Sequence, residues 1–121
     1  MKKTIMIVDD EPDTLELTKT VLAMSGFEVK TFDNAKRALD SLKKSIPDLV
    51  LLDMRMPEIS GPDFCIKIAN DPKLKCLKIV FFTASSEMCK EVGVKNNVKG
   101  YIFKPFDNDA LVDQVKKYLA M

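Results

Sequence analysis

Leu49-Val50-Leu51-Leu52-Asp53 is the stretch that decides how this chain folds. Four apolar residues in unbroken succession, then an acid and Met54-Arg55-Met56-Pro57, read as a strand buried on both faces. Leu77 to Phe82 is a second nearly continuous apolar run, and it leads into Thr83-Ala84-Ser85. Thr4 to Val8, Phe27 to Thr31 and Gly100 to Phe103 are shorter stretches rich in β-branched or aromatic residues, and they read as three more strands.

Between these runs the apolar spacing turns helical. Ala35, Ala38, Leu39, Leu42 and Ile46 fall at i, i+3, i+4, i+7 and i+11, one stripe of a helix. Phe64, Cys65, Ile68 and Ala69 form another, and Leu111, Val115 and Leu119 a third. Pro12 suits a first helical turn after Glu11, and Gly26 stands where that first helix should stop. Asp33 is the expected N-cap of the second helix and Asp107 of the last, while Asn70-Asp71-Pro72 ends the third. The expected fold is therefore α/β: five repeats of strand then helix, a doubly wound parallel sheet with helices on both faces. Residues 1–121 are expected to make one domain, since a chain this size supports a single core.

Composition narrows the function. Apolar residues make up 46% and charged residues 31%, the balance of a water-soluble globule rather than a disordered segment. The net charge is +1 with lysines scattered along the chain, so direct nucleic-acid binding is not expected. No apolar run approaches the roughly 20 residues that cross a bilayer. The run after Met1-Lys2-Lys3-Thr4 is too short for a signal-peptide core, and a cytoplasmic location is expected. Cys65, Cys76 and Cys89 are odd in number and widely spaced, which suits buried thiols better than disulfides or zinc. Histidine is absent. Any chemistry must run on carboxylates, hydroxyls, lysine and backbone.

In a doubly wound sheet, ligands bind at the carboxyl ends of strands where the winding direction reverses. Asp9 and Asp10 close the first strand, Asp53 the third, Thr83 the fourth and Lys104 the fifth. If the first and third strands are neighbours, three carboxylates converge. Two carboxylates about 4 Å apart repel by roughly 4 kcal/mol at an effective dielectric near 20, so such a cluster calls for a cation. Oxygen-only ligands favour a hard ion, magnesium above all. With Lys104 as a fixed charge and Thr83 as a hydroxyl, the set describes a pocket for phosphoryl oxygens. Taken singly, Asp9 and Asp10 are equally well read as caps of the first helix. The conjunction at four strand ends carries the reading.

The motifs Ile7-Val8-Asp9-Asp10-Glu11-Pro12, Leu51-Leu52-Asp53-Met54-Arg55-Met56-Pro57 with Gly61, Phe82-Thr83-Ala84-Ser85 and Tyr101-Ile102-Phe103-Lys104-Pro105-Phe106 carry a family resemblance. The chain resembles, over essentially its whole length, a receiver domain of the two-component response-regulator family, and is chemotaxis-regulator-like. The resemblance implies the strand order 2-1-3-4-5 of flavodoxin-like folds. It implies that Asp53 is the phosphoacceptor for a phosphohistidine on a sensor histidine kinase or phosphotransfer protein in a phosphorelay. It implies that Asp10 and Asp53 bind Mg2+ directly, Asp9 through water and Arg55 through its backbone carbonyl. Lys104 and Thr83 would hold phosphoryl oxygens, and the Ala84 backbone amide would donate to another.

On the same footing, Thr83 and Tyr101 form the switch: the hydroxyl moves to the phosphoryl group and the ring of Tyr101 fills the space it leaves. The fourth helix, fifth strand and fifth helix would be the surface read by a downstream effector, with pairing of two copies on phosphorylation. Such a domain is not an enzyme acting on a separate substrate; it catalyses only its own phosphoryl transfer and dephosphorylation. Three positions depart from the family pattern. Asn97 replaces a frequent glycine, Gly93 falls inside the expected fourth helix and shortens or loosens it, and the long side chain of Arg55 is expected to alter phosphoryl lifetime.

Rival chemistries lack their parts. A haloacid-dehalogenase-type phosphatase needs a second aspartate where Arg55 stands. A flavodoxin-like electron carrier needs a Ser/Thr/Gly-rich loop where Asp9 and Asp10 stand, and no glycine-rich nucleotide fingerprint is present. A receiver-like module that is never phosphorylated would have no need of the complete set of required side chains.

Overall fold

Short apolar segments separated by amphipathic ones can bury their backbone polar groups only by pairing with one another, and that is how this chain is built. The computed structural model describes residues 2–53, 59, 61–74, 76–83, 98–103 and 107–120. The strands are β1 (Thr4–Val8), β2 (Glu28–Phe32), β3 (Leu49–Asp53), β4 (Ile79–Thr83) and β5 (Val98–Phe103). The helices are α1 (Pro12–Met24), α2 (Ala35–Leu42), α3 (Gly61–Ala69) and a C-terminal helix (Asn108–Leu119). The sheet runs β2-β1-β3-β4-β5 and every pairing is parallel, as the alternating pattern requires. The segment expected to hold the fourth helix, with Cys89, Gly93 and Asn97, lies outside the described residues.

Alternate residues of the strands face opposite sides, and each side has its own core. Met6, Val8, Val50, Leu52, Ile79 and Phe81 pack on Ala38 and Leu42 of α2 and on Phe64 and Ile68 of α3. Ile5, Ile7, Leu49, Leu51, Val80 and Phe82 pack on Leu22 of α1 and on Leu111 and Val115 of the C-terminal helix. The unbroken apolar run of β3 is thus explained residue by residue, since Leu49 to Leu52 are all fully buried. Among the described residues no helix is long and apolar enough to cross a membrane.

Pro12 opens α1, and Gly26 follows it at φ +96°, the left-handed conformation that terminates helices on glycine. Asp107 stands at the N-cap of the C-terminal helix as expected, though its side chain makes no capping hydrogen bond. Elsewhere the structure corrects the reading. The N-cap of α2 is Asn34 rather than Asp33, with the Arg37 N–H donating to Asn34 Oδ1 at 2.9 Å. Asp33 instead lies 3.9 Å from the Arg37 guanidinium, an exposed pair of little energetic weight. Asn34→Ala is expected to cost about 1 kcal/mol, read as a lower denaturant midpoint at unchanged slope.

Ile46 does not extend the apolar stripe of α2. The helix ends at Leu42, and Ile46, just before Pro47, is 53% exposed. A residue preceding proline is pushed out of the helical region, so the stripe was read one turn too far. Ala69, placed in the α3 stripe, is likewise exposed. Of the cysteines, Cys65 is buried but Cys76 is exposed, because it falls in the turn between α3 and β4.

Candidate phosphoryl and metal site

The register of two neighbouring strands brings the acids together. Ile7 pairs with Leu51 and Val8 with Leu52, so Asp9, one step past the end of that ladder, comes beside Asp53. This is the point where the winding reverses, with β2 on one side of β1 and β3 on the other. Asp9, Asp10 and Asp53 each offer a carboxylate oxygen, and these atoms all lie within 4.8 Å of one another. Asp9 is fully buried, Asp53 is 8% exposed, and Asp10 faces solvent.

The N-cap of α1 is Glu11, so neither Asp9 nor Asp10 caps that helix. The Glu11 N–H donates to Asp9 Oδ1 at 2.9 Å, which satisfies a backbone donor at the entry to α1. The Asp9 N–H donates to the Phe32 carbonyl at 3.1 Å, tying the turn to β2. The carboxylate is thereby held in place while still belonging to the acidic cluster.

The donor set fits a small hard cation. Among the described residues it consists of carboxylate oxygens, and trans oxygens on an octahedral magnesium ion stand about 4.2 Å apart, close to the span of this cluster. Two buried carboxylates this close also gain from a counter-charge, because burial strengthens their repulsion.

The other expected site residues are reached unevenly. Thr83 is the last residue of β4, paired with Phe103 of β5, which puts it on the same rim; its side chain is outside what the structure describes. Arg55, Ala84 and Lys104 lie outside the described residues, as does Ser85. Tyr101 is half-buried in β5, with its ring stacked on Phe81 at a centroid distance of 5.8 Å and an interplanar angle of 19°.

One neighbour of Tyr101 escaped the sequence reading. The ring of Tyr118, from the last turn of the C-terminal helix, lies close against Gly100, and its hydroxyl donates to the Tyr101 carbonyl at 3.5 Å. A Cβ at Gly100 would come within 2.6 Å of Tyr118 Cζ and 2.7 Å of Cε1. The only signal in the sequence was a glycine inside a strand, which marks a close approach without naming the partner. Gly100→Ala is expected to cost about 1–2 kcal/mol by displacing that ring. Tyr118→Ala in the same chain should absorb most of this cost in a double-mutant cycle.

Comparison with known proteins bears on the same residues. "DNA-binding response regulator MtrA" of Mycolicibacterium smegmatis is 32% identical over 120 residues, covering 98% of this chain and 51% of MtrA. The chain thus spans about half the length of that relative. A chain from Chloroflexus aurantiacus assigned as a response regulator superposes with a TM-score of 0.92 at 32% identity, covering 100% of both chains. The response regulator TrrA of Thermotoga maritima, whose crystal structure is a complex with Mg(2+)-BeF, is 37% identical with a TM-score of 0.84, covering 96% of this chain and 98% of that one. Residues 5–116 match the sequence profile of the response regulator receiver domain, a span that holds both core layers and all three clustered acids, and the chain therefore belongs to that family.

Proposed function

We propose that residues 1–121 form one receiver domain acting as a phosphorylation-dependent switch of a two-component system, with Asp53 as its phosphoacceptor. Phosphoryl acceptance is the general function of the family. The observation that carries the assignment to Asp53 is the meeting of Asp9, Asp10 and Asp53 oxygens within 4.8 Å at the ends of β1 and β3. In this reading an Asp53 oxygen attacks the phosphorus of a phosphohistidine on a sensor histidine kinase or phosphotransfer protein. The P–N bond breaks, and the histidine nitrogen keeps the electron pair and takes a proton.

Asp9, Asp10 and Asp53, with the Arg55 carbonyl, would hold Mg2+, which supplies Lewis-acid neutralisation of phosphoryl oxygens. Lys104 pairs with one of those oxygens, Thr83 donates its hydroxyl to a second, and the Ala84 amide donates to a third. The structure of TrrA in complex with Mg(2+)-BeF supports the choice of magnesium.

The consequence proposed for the molecule is a change at Thr83 and Tyr101 that alters the surface of the expected fourth helix, fifth strand and last helix, where an effector or a second copy binds. The two states must lie within a few kcal/mol of each other for phosphate to shift the balance. The domain signals from the cytoplasm and turns over no separate substrate. Arg55 is the residue proposed to set how long the phosphoryl group survives. The test is intact mass spectrometry after incubation with acetyl phosphate and magnesium, comparing the parent with Asp53→Asn. An adduct unchanged by the substitution overturns the assignment.

A further inference from the structure

At the end of the sheet opposite the acids, a cavity of about 330 Å³ opens between the start of β1, the α2–β3 connection, the turn before β4 and the end of the C-terminal helix. Its floor is apolar, with Leu77 buried and Ile46 53% exposed. Lys3, Lys73 and Lys78 line it, against Asp48 as the one acid among the described residues. The charge of Asp48 is partly taken up within the fold, because the Thr4 N–H donates to its Oδ2 at 2.8 Å.

Two of these lysines, Lys3 and Lys73, do not stand at a helix C-terminus, where a lysine complements the dipole. Lys3 precedes a strand, Lys73 lies in a turn four residues beyond the end of α3, and Lys78 immediately precedes β4. Among the described residues, Lys78 is the one of the three with a structural task, donating to the Leu119 carbonyl at 2.8 Å at the end of the C-terminal helix. Ile46 is equally without one, since it left the α2 stripe for the surface. A second cavity of about 380 Å³, between α2 and α3, sets Lys36, Lys43 and Lys67 against Asp40 and Asp71, a smaller excess of positive charge.

We propose that the cavity around Ile46 is a docking site for an acidic peptide segment of another protein. One aliphatic or aromatic side chain of that segment packs on Ile46 and Leu77, and its flanking carboxylates pair with Lys3 and Lys73. Charge complementarity selects the partner and the apolar floor anchors it. The site lies at the amino ends of the strands, so its occupancy does not compete for the acids at the carboxyl ends.

The probe is a fluorescent peptide in which glutamate alternates with leucine, with a lysine–leucine peptide as its control. The acidic peptide should bind saturably and weaken as salt rises, while the basic control should not bind. Lys3→Glu/Lys73→Glu should weaken binding at least about tenfold at low salt, and Ile46→Asp should do likewise. Both changes are at exposed positions, and an unchanged thermal midpoint verifies the fold. Cys76 lines the same cavity and is exposed, so peptide-resolved alkylation gives a second readout in the unmodified chain. Bound peptide should slow its reaction with iodoacetamide. Absent binding, binding indifferent to these substitutions, or unprotected Cys76 overturns the proposal. Duplex DNA or anionic lipid vesicles competing with the peptide, with the same lysine dependence, would also overturn it in favour of a general polyanion surface.

Discussion

Asp53→Asn is expected to leave the chain without acetyl-phosphate-dependent covalent phosphate and, in the absence of divalent cation, more stable than the parent. The first effect follows from chemistry, since an amide oxygen is a poor nucleophile and the proposed reaction has no other acceptor. The second follows from the geometry of the cluster. Two unit charges at the 4.8 Å limit that spans these oxygens repel by about 3 kcal/mol at an effective dielectric near 20. Asp10 is exposed and its share is screened by solvent, so the expected net gain is nearer 1 kcal/mol.

Magnesium should reverse the order. An ion that binds the folded chain alone stabilises it in proportion to the logarithm of its concentration over its dissociation constant. Removing one of three carboxylates weakens that binding. Thermal unfolding with chelator and then with excess magnesium checks both arms, the parent gaining more from the ion than the variant. Equal shifts in the two proteins would show that Asp53 is not among the ligands.

Phe81→Ala is expected to cost about 3–5 kcal/mol, the range for deleting a fully buried aromatic ring. Domains of this size have only about 5–15 kcal/mol in total, so the variant should stand near the edge of unfolding at ordinary temperature. Phe81 sits in the core layer under α2 and α3, where neighbouring side chains are held by the sheet and cannot collapse into the gap. The ring is also the surface on which Tyr101 stacks. The chain has no tryptophan and two tyrosines, so near-ultraviolet circular dichroism reports Tyr101 and Tyr118 directly. In the fraction that remains folded, Phe81→Ala should diminish that signal, while Phe81→Leu should retain most of the stability and still lose the stacking. A variant with an unchanged denaturant midpoint would contradict the burial on which this rests.

Much of this molecule was legible in its sequence because it depends on local physics. Apolar runs become strands wherever they fall, and proline and glycine fix helix ends through their own backbone preferences. Pro12 and Gly26 therefore sit where they were read, and Leu49 to Leu52 are buried as an unbroken run must be. The acids at Asp9, Asp10 and Asp53 stood out for the same reason, as charges placed where strands stop.

What only the tertiary structure decided are the matters that join distant parts of the chain. Asp9 meets Asp53 because Ile7 pairs with Leu51, a register set by packing on both faces rather than by either segment alone. Asn34 rather than Asp33 took the cap, since either side chain is competent and the path from β2 chose between them. Ile46 left its stripe ahead of a proline and came to rest beside lysines from two other segments. Tyr118, 18 residues further along the chain, covers Gly100 and occupies the space that a side chain there would take. Local preference chooses the elements; the entropy lost in bringing them together is recovered only by contacts between segments far apart in the chain, and those contacts made the site.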